Sequence, residues 1–185
     1  MAKAEVIRPH LEKLMKELLG VESLVIWDDG TIPIRAGSAG VYVKLDEPND
    51  RPLIHVYSPM LRGVASTPAL LEQLNGINAT SYQARVFWVA EQVIVAIDLL
   101  AEALDKEELS AAVDLVSGFA DHWDTELRAA FGGDIAFEDA TAEPPEDVPS
   151  LPPPPGGAEA ADETPAKVSA SEDDAGGEAM HEGYL

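Results

Sequence analysis

Four histidines (His10, His55, His122 and His181) and 34 acidic residues are the raw material from which a metal site or acid–base catalysis could be built. They fall into no ligand pattern. HExxH, paired histidines at i, i+4 and the calcium loop DxDxDG do not occur. The absence of cysteine removes thiol catalysis, disulfides and thiolate-bound zinc together. Asp121-His122-Trp123-Asp124 puts carboxylates beside an imidazole, but neighbours on a helix point about 100° apart and do not face each other. The sequence Gly37-Ser38-Ala39-Gly40 lacks the phosphate-binding lysine and is one residue short of a GxSxG elbow, so it reads as a turn. Asp28-Asp29-Gly30 is a hairpin-turn signature, and Glu107-Glu108 suits the first turn of a helix, where acids complement the dipole. Leu74-Asn75-Gly76-Ile77-Asn78 could present amides to a partner's backbone, but a cap for a helix C-terminus accounts for it more simply. No catalytic, cofactor-binding or metal-binding residue is therefore expected, and the chain reads as non-enzymatic.

Charge narrows the partners. Twelve Lys and Arg residues stand against 34 Asp and Glu, a net charge of −22 over 185 residues. Such a surface repels phosphate backbones and anionic leaflets, so nucleic acid and membrane insertion are not expected. No apolar run reaches the roughly 18 residues needed to span a bilayer. The N-terminal stretch interleaves charge with its apolar positions, unlike a secretory signal, so a cytoplasmic location is expected.

The charge also divides the chain. Residues 1–133 carry 11 basic and 20 acidic residues; residues 134–185 carry Lys167 alone against 14 acids, along with Pro144, Pro145, Pro149, Pro152 to Pro155 and Pro165. The second stretch has too few large apolar residues to offset the entropy of ordering it. A folded domain over 1–133 and a disordered acidic, proline-rich tail over 134–185 are expected. SLPPPPGG in that tail reads as a polyproline II spacer.

Within the domain, helical periodicity appears three times. Residues 4–19 align Ile7, Leu11, Leu14, Met15 and Leu18 before Gly20. Thr67-Pro68 caps a second helix that buries Leu70, Leu71, Leu74 and Ile77. Asp105 and Glu108 open a third that runs through Val116, Trp123 and Phe131 to Gly132-Gly133. Between them the period drops to two, at 24–27, 31–35, 41–46 and 53–58, and again at 84–90 and 93–99 around a Glu91-Gln92 turn. The expected fold is α+β, a mainly antiparallel sheet with helices packed on one face, in the order α-β-β-β-β-α-β-β-α.

Strand alternation separates the faces. Ile34, Val41, Val43, Ile54, Val56, Val86, Trp88, Val95 and Ile97 share an apolar phase suited to lie beneath the helices. The other phase mixes Arg35, Lys44, His55, Arg85 and Asp98 with Tyr42, Leu53, Tyr57, Phe87, Val89 and Ile94. Aromatics concentrated on one sheet face mark a docking surface. The residues expected to contact a partner are Tyr42, Lys44, His55, Tyr57, Arg85, Phe87 and Ile94.

Several pieces carry a family resemblance in their order and spacing: the GSA turn before VYVKL, LNGIN at 74–78, IDLL at 97–100, and a last helix holding ADHWD and ending in FGG. Together these resemble the bacterial, mostly actinobacterial, peptide-binding chaperone domains grouped with type III secretion chaperones (CesT-like) and YbjN proteins. The resemblance covers about residues 20–133. It implies a chaperone-like fold without catalysis, a protein or peptide client, and a homodimer. The client would be an extended or amphipathic segment, either added as a strand at the poorly sealed edge near Pro33 or anchored on Tyr42, Tyr57, Phe87 and Ile94. The alternative is a structural subunit or homodimeric assembly protein that uses the same face as a permanent interface. The tail's charge would discourage acidic ligands and favour basic client segments.

Overall fold

The computed structural model describes residues 3–36 and 39–136, except for the side chains of Lys3, Ala4 and Asn49. Its three long helices form where periodicity and caps predict them. Helix α1 (Lys3–Leu19) buries Leu11, Leu14 and Met15. Helix α2 (Pro68–Thr80) starts with Pro68 at its first position, and the Thr67 hydroxyl accepts from the Leu70 N–H at 3.2 Å. In α3 (Lys106–Phe131) the Asp105 carboxylate accepts from the Glu108 N–H at 2.8 Å, satisfying a donor the helix itself leaves unpaired.

The strands are β1 (Ile32–Ala36), β2 (Ala39–Asp46), β3 (Leu53–Arg62), β4 (Arg85–Val89), β5 (Gln92–Leu100) and the short β6 (Asp134–Ile135). They form one antiparallel sheet ordered β1-β2-β3-β5-β4, with β6 also paired to β3. Residues 24–27 correct the expectation: they form no strand. Val25 and Ile26 are exposed, and the segment closes a tight loop in which the Trp27 N–H donates to the Thr31 carbonyl (2.9 Å) and the Gly30 N–H to that of Trp27 (2.8 Å). An apolar tetrapeptide looks like a strand in isolation, but pairing requires alignment with a neighbour, and the tight turn closes Trp27 onto Thr31 instead of laying 24–27 along the outer side of β1. The observed order is α-β-β-β-α-β-β-α-β. The second hairpin turns at Ala90-Glu91, one residue earlier than expected, because Val89 pairs with Gln92.

One core lies between the sheet and the helices. Ile34, Val41, Val43, Ile54, Val56, Val86 and Val95 pack there with Leu11, Met15, Leu70, Leu74, Leu109, Val116 and Leu127. Trp88 and Ile97 pack at its margin, so the whole predicted dry phase lies on the helical side.

The fold continues past Gly133, where a tail was expected to begin. Gly132 (φ +77°) ends α3, its N–H donating to the Arg128 carbonyl at 2.9 Å. Gly133 (φ +82°) then passes so close to β3 that a Cβ would sit 2.6 Å from the Arg62 carbonyl oxygen and 2.5 Å from a Val64 methyl carbon. That approach lays β6 against Leu61 and Arg62, and the Ala136 N–H donates to the Met60 carbonyl at 2.9 Å. The tail expected to be disordered, from residue 137 on, lies outside the described residues, as does His181.

Candidate functional site

The second face is built by register. Tyr42 of β2 pairs with Tyr57 of β3, which pairs with Ala96 of β5, which in turn pairs with Arg85 of β4; one step along, Lys44, His55 and Asp98 align across β2, β3 and β5. Phe87 faces Ile94. All seven predicted contact residues therefore share one face.

They are not equally accessible. Tyr42, Tyr57 and Ile94 form a second apolar cluster with Ala96, and their exposures are 0 %, 6 % and 1 %. Trp27 and Ala136 pack on this cluster from outside the sheet, and Phe87 and Val89 border it. The expectation that Tyr42, Tyr57 and Ile94 present themselves directly to a partner is corrected: they are the floor of the face. Rings form a ladder across it, with Trp27–Tyr42 and Tyr42–Tyr57 centroids both 5.3 Å apart and His55–Tyr57 5.0 Å apart. Such offset ring contacts add to simple burial. Burial pushes the Tyr42 hydroxyl up to about 12 and that of Tyr57 higher still.

Trp27 and its loop escaped the sequence reading. The loop is pinned by Asp29, whose carboxylate accepts from the Thr31 N–H (3.0 Å), the Thr31 hydroxyl (2.9 Å) and the Lys44 ammonium (3.0 Å). Burial alone raises the Asp29 pKa, but the Thr31 N–H and the Lys44 charge outweigh it and hold the carboxyl below the usual range. The available signal was an aromatic closing an apolar run just before a DDG turn.

Polar residues cross the same face as a connected row. His55, 6 % exposed, donates from Nδ1 to Asp98 Oδ1 at 2.5 Å, and Asp98 Oδ2 holds Arg85 Nη2 at 2.7 Å. Burial raises the Asp98 pKa, yet the His55 hydrogen bond and charge, then Arg85, bring it below the ordinary value. The guanidinium of Arg85 lies 5.8 Å from the Phe87 ring centroid. A carboxylate orienting an imidazole is half of a catalytic triad. No nucleophile among the described residues meets His55 Nε2, which is buried without a hydrogen-bond partner. Among the described residues, no three His, Asp or Glu side chains converge to hold a metal.

Part of each sheet edge is occupied by the chain itself. On β4, the Asn78 amide donates to the Val86 carbonyl and accepts from the Val86 N–H, both at 2.7 Å, and the Ser81 hydroxyl donates to the Ala84 carbonyl at 2.6 Å. Asn78 thus stands in for a neighbouring strand. This corrects its reading as a helix cap; the Ile77 carbonyl is taken instead by the Thr80 hydroxyl and the Ser81 N–H. At the other edge, the Trp27 loop consumes both backbone groups of Thr31, and Pro33 has no N–H to offer. The edge near Pro33 is better sealed than the sequence suggested.

This arrangement can be set beside known proteins. Residues 5–139 match the family described as T3SS (YopN, CesT) and YbjN peptide-binding chaperone 1. The chain belongs to that family. Among solved structures, the ExsC–ExsE complex is similar at a TM-score of 0.54 and 16 % identity, covering 68 % of this chain and 96 % of that one. The HopA1–SchA chaperone–effector complex is similar at 0.53 and 13 % identity, covering 68 % and 98 %. At these identities the likeness is one of fold, and it confirms the α+β architecture with an antiparallel sheet. No curated protein matches. Within the described residues of this peptide-binding chaperone, no helix is long and apolar enough to cross a membrane.

Proposed function

We propose that this peptide-binding chaperone is a non-catalytic, cytoplasmic holder of a client protein's extended or amphipathic segment, and that the second face of its sheet is where the segment lies. Tyr42, Tyr57 and Ile94 supply a rigid floor. Phe87 and Val89, partly exposed at its border, are the apolar seats. Lys44 and Arg85, one on each side of the floor, orient polar groups of the segment.

The observation that carries this reading is a partly exposed apolar border beside edges that the chain itself partly seals. Adding a strand at β4 would have to displace the bidentate Asn78, which favours side-chain docking over strand addition there. Phe87→Asp tests it in the full chain, with Leu71→Asp on α2 as the control, since Leu71, expected to be buried, is exposed. Capture from native lysate followed by mass spectrometry is expected to show a set of proteins retained by wild type and the Leu71 variant and lost with Phe87→Asp, the thermal transition being kept. Equal retention by all three, or a tight dimer that buries Phe87 and captures nothing, contradicts the reading.

A further inference from the structure

The chain's own continuation is delivered to this face. After β6, Ala136 is fixed to β3 through the Met60 carbonyl and packs on the Tyr42–Tyr57–Ile94–Ala96 cluster. The described part of the chain therefore ends at the second face. We propose that residues 137–151 lie across this face in cis and compete with a client for it. The inference rests on the client reading only for what the segment competes with.

Three further observations support it. The first is charge. By register Arg35, Lys44, Arg62 and Arg85 share this face with Asp46, Asp98 and Asp134, and Asp29 on Lys44 brings the acids to four, whereas α1, α2 and α3 together carry ten acidic residues against six basic ones. Residues 137–151 contain Glu138, Asp139, Glu143, Glu146 and Asp147 and no cation, so this charge-balanced face is less hostile to them than the net acidic helical side. The second is composition and reach. Phe137, Val148 and Leu151 are apolar anchors, and β4 lies three strand spacings from β6, about 15 Å, which about five extended residues span. The third is the state of the face. His55 Nε2 is buried there without a hydrogen-bond partner, a polar atom that an overlying segment can satisfy.

Tethering makes weak contacts sufficient. A segment attached at the edge of its own site is present at an effective concentration in the millimolar range. A client must then exceed that competitor, so the segment sets a threshold for binding.

The absence of cysteine allows a clean test in the full chain. A nitroxide on Ser150→Cys reports which backbone amides the segment approaches, with no client present. The expected result is selective loss of the Arg85, Phe87, Val89 and Ile94 signals. They recover on reduction of the label, at raised salt, and when Glu138, Asp139, Glu143, Glu146 and Asp147 are replaced by their amides. Equal broadening on α3 at Ser117 and Thr125, or no broadening on the second face, overturns the proposal. Because no client enters the measurement, a protein that captures nothing yet shows this pattern keeps the cis contact and loses only the client reading.

Discussion

Asp98 makes the second face sensitive to acid. The folded protein holds the Asp98 carboxyl below its ordinary value, so its contribution to stability is complete above that value and is lost as pH falls through the folded one. Chemical denaturation of wild type is expected to show stability dropping below about pH 4, with a shallower drop for Asp98→Asn. At neutral pH that variant should cost about 1 kcal/mol, because the amide still accepts from His55 but no longer balances Arg85. An identical pH slope for both proteins would show that the row is not coupled to folding. Asn78 is a sharper case. Asn78→Ala leaves both backbone groups of Val86 unpaired at a part-buried edge, so a loss of about 1–3 kcal/mol is expected. Light scattering should also show concentration-dependent self-association through the uncovered strand; a stable, monodisperse variant would contradict the sealing role. That role was not legible in LNGIN, because the residue acts across a tertiary contact while its local context favours a cap.

The elements themselves were largely written in local signals. Helix caps, the apolar stripes and the alternation that separates Val41 and Val43 from Tyr42 and Lys44 all survive into the structure, since each depends on short-range geometry. What failed depended on pairing: residues 24–27 have strand composition and no strand to join, while Asp134 and Ile135 have little strand character and pair because Gly133 brings them against β3. Gly133→Ala should therefore destabilise by about 1–3 kcal/mol, since backbone rather than a flexible side chain stands in the way. It should also speed hydrogen exchange at Ala136; unchanged exchange there would mean that β6 tolerates the shift. The β4–β5 turn stores strain of a milder kind. Ala90 and Glu91 both adopt left-handed angles (φ 46° and 60°), which suit Asn-Gly. The double replacement Ala90→Asn, Glu91→Gly is expected to raise stability by about 1 kcal/mol in thermal denaturation, and a loss would show that these side chains make compensating contacts.

For the molecule as a whole, one sheet separates two environments. Helices close the first side into a dry core, and on the second the Trp27 loop and the start of the C-terminal segment partly cover an aromatic floor, leaving Phe87 and Val89 at its border. Sequence alternation revealed that the second side exists and which residues share it. It did not reveal how much of it is already covered, because the covering groups come from a loop and from residues beyond α3. The most direct test places a photoreactive phenylalanine analogue at Phe87 of the full chain in its native cell, with the same analogue at the fully exposed Tyr82 as reference. A covalent adduct between position 87 and a different protein, absent from position 82, is the predicted result. Adducts that form equally at both positions, or at position 87 only with a second copy of this chain, would contradict a client-holding face.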